Sequence, residues 1–225
     1  MGQAIGQVLP LAVGVALSPV AIIAVVLMLV TPRARANGPA FIVGWILGLG
    51  IVGAIVLAIA QPAGATSDGQ PATWVNVLKL VLGLVLLLLA LNQWRGRAHG
   101  DDEPATPKWM RAIEGFGPGK ALVAGAVFAG VSPKNALLAI AAAASIASIG
   151  IEVGEEAVAY LVFALIGTVG VATPVVIYFA LGERAGTLLD GLKRWMSRNN
   201  AVITAVLLLV IGAKLVGEAI SGFSS

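Results

Sequence analysis

The chain has 225 residues, of which 59% are apolar and 11% charged, with a net charge of +3. Soluble domains carry roughly a quarter of their residues charged, so this composition excludes an ordinary soluble fold and specifies an all-α integral membrane protein. Cysteine is absent, which excludes disulfides and a thiol relay, and the single His99 falls in a charged loop and leaves no histidine metal site.

Six apolar stretches are long enough for helical spans, each needing about 20 residues: 5–30, 38–60, 74–94, 119–148, 156–181 and 200–220. The aliphatic run over 80–91 is nearly unbroken, against the alternation of a β-barrel. Basic residues first occur at Arg33 and Arg35, after the first apolar run, so no cleaved signal peptide is expected. Span one is interrupted by Ser18-Pro19 and span four by Ser132-Pro133. Proline removes an N–H and clashes one turn back. Within a membrane it is therefore tolerated where protein or a cavity satisfies the freed groups. Ser followed by Pro also reads as N-cap and first helical residue, so a new half-helix is expected to start at each break.

The loops after spans one, three and five carry Arg33 and Arg35, then Arg95, Arg97, Lys108, Arg111 and Lys120, then Arg184, Lys193, Arg194 and Arg198. The loops after spans two and four hold Asp68, Glu152, Glu155 and Glu156 and no cation. By the positive-inside rule the odd loops are cytoplasmic and both termini lie outside a multi-pass protein of the cytoplasmic membrane. The net positive charge is then a topology signal and no nucleic-acid partner is expected. Trp74, Trp94, Trp109 and Trp195 fall at the expected membrane edges, as anchors. Leu188, Leu189, Leu192, Trp195 and Met196 recur at helical spacing among charges, as in a short helix lying in the inner interface.

Three landmarks recur in order. Ser18-Pro19 matches Ser132-Pro133, the segment 41–48 matches 163–170, and 77–83 matches 206–212. With three spans per half, this predicts an inverted 3+3 repeat with broken helices 1 and 4. Its parts are a first three-helix repeat over 1–100, a cytoplasmic linker over 101–118 and a second repeat over 119–225.

The candidate substrate-binding and gating residues are Ser18, Pro19, Ser132, Pro133, Lys134, Asn135 and Lys214. Lys134 is the one charge near the middle of an apolar stretch, and an intramembrane cation faces a cavity or a partner by default. Two half-helix N-termini add positive potential, suiting a carboxylate, sulfate or phosphate. The alternative is that both prolines merely kink their helices and Lys134 neutralises carbonyls exposed by the break. Lys214 either snorkels or lines the cavity, whereas Lys79 is expected to snorkel outward. Asn92 and Gln93 read as a solvated helix end, and Gly44 and Gly48 as a helix-packing GxxxG. The acids lie in loops or at helix ends, which disfavours a metal-ion cargo, and no catalytic set is visible. No enzyme activity, cofactor or metal is expected.

Taken together, ALSPVAIIAVVLMLVTPRARANGPAFIVGW, GVSPKNALLAIAAAASIA and NNAVITAVLLLVIGAKLVG resemble the lysine exporter superfamily of small bacterial transporters. The similarity is greatest to its actinobacterial branch of glycolipid or sulfolipid addressing proteins. The resemblance implies export of a small or amphipathic molecule, with lipid transport of a cell-envelope glycolipid or its precursor as the branch's association. It carries the superfamily motif onto Pro19, Pro133, Lys134 and Asn135. Amino-acid exporters of the superfamily show Pro-Gly-Pro in span one, where this chain has Leu17-Ser18-Pro19. The expected function is thus an exporter of an anionic or amphipathic metabolite, partnered by its small-molecule or lipid substrate and by membrane lipids, with a homodimer left open. The alternatives are a non-transporting accessory subunit of a lipid export or synthesis complex, and an amino-acid exporter.

Overall fold

A computed structural model describes residues 1–60, 64–67, 70–96, 113 and 115–224. Most of the expected linker over 101–118 lies outside these residues, as do Asp68, Arg97, His99, Lys108, Trp109 and Arg111. The described chain forms eight α-helices: α1 Gly2–Ala16, α2 Pro19–Leu29, α3 Ala34–Ala60, α4 Thr73–Arg95, α5 Pro118–Gly130, α6 Pro133–Ala147, α7 Val153–Leu181 and α8 Ala185–Phe223. Among the described residues the strands are two short pieces, Thr66–Ser67 and Gln70–Pro71, paired antiparallel between α3 and α4.

Four helices, α3, α4, α7 and α8, are each long and apolar enough to cross a membrane, and two bent pairs bring the number to as many as six. In the bent pairs α1 meets α2 at 50° and α5 meets α6 at 63°. Both bends have the expected local cause. Ser18 and Ser132 are the N-cap residues of α2 and α6, and Pro19 and Pro133 stand in their first turns. Large apolar side chains cover the outside of the bundle; Ile51 is 57% exposed, Leu88 67% and Val176 63%. Such a surface fits hydrocarbon and not water, and the chain is a multi-pass membrane protein.

Lipid offers little hydrophobic drive for helix association, so close backbone packing takes over. The most extensive helix pairs are α4 with α8, α3 with α5 and α1 with α7, each joining a helix before residue 100 to one after it. Glycine makes each approach possible. A Cβ on Gly44 would strike the Leu122 carbonyl, one on Gly125 the Phe41 carbonyl, and one on Gly170 the Ala16 carbonyl. Between α4 and α8 the contact is reciprocal: a Cβ on Gly83 would lie 2.9 Å from the Gly212 carbonyl oxygen, and one on Gly212 would lie 3.0 Å from that of Gly83. Gly44 and Gly48 therefore serve helix packing as expected, and the face they form is covered by α5 of the same chain.

One expectation is corrected. The amphipathic segment around 188–196 is not a separate helix, because it runs unbroken into the last span as the start of the 39-residue α8. Its periodicity is real: Leu189 and Met196 are buried, while Leu188 and Trp195 are exposed. Trp74 and Trp94 are half exposed near helix ends, but Trp45, which no edge rule covers, is fully buried and stacks with Phe41 at 6.2 Å.

Candidate substrate site at the two helix breaks

The two breaks meet. Ser18 Oγ donates to Asn135 Oδ1 at 2.9 Å across 117 residues of sequence, and both Ser-Pro pairs line one cavity of about 420 Å³. This is within the usual range of small-molecule sites, about 300–1,000 Å³. The cavity extends from the breaks toward the C-terminal end of α4 and the middle of α8, where Gln93, Asn200 and Thr204 contribute polar groups. Leu89, Val127, Phe128, Val131 and Leu208 supply apolar walls.

The Lys134-Asn135 pair holds both broken helices. Breaking a helix strands the carbonyls of its last turn. Lys134 Nζ donates to the Gly14 carbonyl at 2.7 Å and the Leu17 carbonyl at 3.0 Å, covering the end of α1. Asn135 Nδ2 donates to the Phe128 carbonyl at 2.8 Å, covering the end of α5. Under the 114-residue offset between the two Ser-Pro pairs, Gly14 and Phe128 are corresponding positions, so adjacent side chains from one break satisfy equivalent carbonyls at both. The cation at the negative end of α1 is also favoured by the helix dipole.

Carbonyl neutralisation is thus a real role of Lys134, although it also lines the cavity. Its ammonium has three N–H donors, and two are used by carbonyls. The starts of α2 and α6 add backbone donors. A helix leaves its first N–H groups without intrahelical acceptors, and neither Ser18 nor Ser132 makes a side-chain cap bond to its own helix. At the first break the expected Ser cap is replaced by another bond, since Ser18 Oγ is spent on Asn135.

Ser18, Pro19, Ser132, Pro133, Lys134 and Asn135 therefore converge, while Lys214 does not join them. Lys214 Nζ pairs with Glu218 and donates to the Gln7 carbonyl at 3.1 Å, on the far side of the bundle from the cavity's polar mouth. Lys79 does not snorkel outward: it is 4% exposed, and its Nζ lies 3.2 Å from Glu218 Oε2. The acid at the end of the last span draws both lysines inward, an attraction that hydropathy alone does not encode. Gln93 is a wall of the cavity and not merely a solvated helix end, although its neighbour Asn92 is exposed. Sequence reasoning also missed Asn200 and Thr204, polar residues four apart on one face of α8.

Residues 8–221 match the family model described as Sap, sulfolipid-1-addressing protein. The chain belongs to this family. The match takes in both breaks, all the cavity-lining residues and the Lys79, Lys214 and Glu218 cluster. Membership in the Sap family, with the apolar helical bundle, links the chain to lipid handling at a membrane. No significant match to a curated protein or to a solved structure accompanies the Sap match.

Proposed function

We propose that the chain is a transporter, not an enzyme, exporting an anionic or amphipathic envelope metabolite such as a glycolipid or its precursor across the cytoplasmic membrane. The observation that carries this reading is the convergence of two half-helix N-termini and one lysine on a single cavity. Helix N-termini favour anions, and paired helix breaks at a repeat interface mark the central site of secondary transporters. Apolar walls beside that polar spot suit a molecule with an anionic head and a hydrocarbon portion.

On this reading the chain has six spans in an inverted 3+3 arrangement, each bent pair being one span, with both termini outside. Support comes from the equivalence of contacts between the halves. Gly48 approaches α5 at Gly130, whereas Gly170 approaches α1 at Ala16, and the same sequence offsets relate both pairs. Gly83 and Gly212, also equivalent, pack against one another. Membership in the lysine exporter superfamily would account for this architecture. The accessory-subunit alternative loses its natural docking face, since Gly44 and Gly48 are covered by α5.

The test is a comparison of surface lipids and exported metabolites in cells with and without the protein. Loss of one anionic amphiphile from the outer surface, with accumulation inside, is expected. An unchanged distribution of all anionic amphiphiles overturns the reading.

A further inference from the structure

A second charged cluster joins three helices on the side of the bundle away from the basic loops. Lys79 of α4 faces Glu218 Oε2 at 3.2 Å. Lys214, one turn before Glu218 on α8, contacts its other oxygen and also holds the Gln7 carbonyl of α1. Two ammonium groups thus share one carboxylate, leaving a formal charge of +1. Gln7 Oε1 is buried nearby without a hydrogen-bond partner. A buried ion pair is poor evidence for stability, because apolar side chains of similar volume often pack as well, and charges inside a membrane protein point to function by default.

The cluster is aligned with the cavity. Asn200, Thr204 and Leu208 line the cavity. Ile211 and then Lys214 and Glu218 continue the same face of α8 at steps of three or four residues. Ile211 closes the way between them: with Leu138 it presses on Gly14, where an added Cβ would collide with Ile211 and lie 3.0 Å from Leu138 Cδ1. From Asn200 to Glu218 the face spans about 27 Å at 1.5 Å per residue, most of a bilayer core.

We infer that Lys79 and Lys214 form a second anion site at the far end of this face, closed by Glu218 as a tethered carboxylate, and that the anionic group of the cargo displaces Glu218 on its way out. This rests on the transport reading. The ligand class is a single sulfate, phosphate or carboxylate group, free or as a lipid headgroup. An anion that replaces Glu218 keeps both lysines paired and releases the carboxylate of α8 from Lys79 of α4.

The natural absence of cysteine provides the assay. Ser132→Cys puts one thiol at the break, and an impermeant thiol reagent is applied from either face of oriented vesicles. Reaction is expected from the basic-loop face and slowly from the opposite face. Adding Glu218→Gln is expected to raise the opposite-face rate about tenfold, the factor given by 1.4 kcal/mol of lost closure. Lys79→Gln should do the same, and the exchange Lys79→Glu with Glu218→Lys should restore slow reaction, which a merely misfolded variant would not. Octyl sulfate should speed opposite-face reaction in the Ser132→Cys parent but not in the Glu218→Gln variant. Inorganic sulfate matching it identifies a free anion as sufficient, and inactivity of inorganic sulfate identifies a headgroup; octyl glucoside, being neutral, should do nothing. Unchanged opposite-face rates in both gate variants, or equal action of octyl sulfate and octyl glucoside, overturn the inference while leaving the cavity reading intact. A thiol unreactive from both faces overturns the cavity reading as well.

Discussion

The hydroxyl of Ser18 is held by the side-chain amide of Asn135 at 2.9 Å, so the two helix breaks share one hydrogen-bonded joint. Asn135 also covers the Phe128 carbonyl and is almost wholly buried. Asn135→Ala should therefore strand a carbonyl and a hydroxyl together, each costing about 1–3 kcal/mol when left unsatisfied in a buried site. Ser18→Ala removes one partner and leaves the Phe128 bond in place. Because Ser18→Ala still strands the buried Asn135 Oδ1, thermal unfolding in detergent should place Ser18→Ala below the parent and Asn135→Ala lower again. Equal midpoints would mean that the joint carries no stability.

Lys134 has two separable roles, covering carbonyls and supplying charge. Lys134→Met removes both, and loss of charge-assisted bonds to the Gly14 and Leu17 carbonyls should cost about 2–4 kcal/mol. Lys134→Gln keeps an N–H₂ donor one atom shorter but no charge. The expected outcome is a small fall in unfolding temperature for Lys134→Gln, a large one for Lys134→Met, and loss of anionic cargo export in both. Export that persists in Lys134→Gln would show that donors alone, and not the cation, recognise the cargo.

The breaks were readable from sequence because Ser followed by Pro marks a local helix start, whereas Pro10, Pro39 and Pro174, without a preceding Ser, stand inside helices that continue past them. Glycine contacts were half readable. A GxxxG marks a packing face, but not that Gly44 meets Leu122 or that Gly83 meets Gly212, because the partner depends on topology. Charge pairing was the least legible part. Lys79 and Glu218 are separated by more than half the chain, and each alone resembles a span-end residue bound for water. Asn200 and Thr204 carried a helical spacing but no charge or break to mark them. The long α8 hid a boundary as well, since an amphipathic start and an apolar remainder share one uninterrupted helix.

The basic stretches at Arg33 and Arg35, and from Arg184 to Arg198, set an expected orientation through the cost of carrying cations across the membrane. Reporters active only outside the cytoplasm, fused at either terminus, should be active, whereas the same reporter inserted after Arg95 should be silent. A cytoplasmic reporter should show the reverse pattern. Termini found on opposite faces would remove the even number of spans, and with it the two bent pairs as full crossings.

Gly170 lies against the last turn of α1, where a Cβ would collide with the Ala16 carbonyl oxygen and lie 2.8 Å from its carbon. Backbone cannot yield as a side chain can, so Gly170→Ala must move α1 away from α7. Leu17 and Gly14, whose carbonyls hold Lys134, sit on that turn and would move with it. Gly44→Ala meets the Leu122 carbonyl near the start of α5, two turns before the break. Both variants should lose about 1–3 kcal/mol through overpacking, but only Gly170→Ala should disturb the cavity as strongly as it disturbs stability. Gly50→Ala is the matched control. Nothing lies within 4 Å of its added Cβ, and helix propensity alone predicts a gain of up to about 1 kcal/mol. Unfolding temperature and labelling of Ser132→Cys, measured on the three variants, check the order. If Gly170→Ala melts with Gly50→Ala, the close approach of α1 to α7 is not what holds the first break in place.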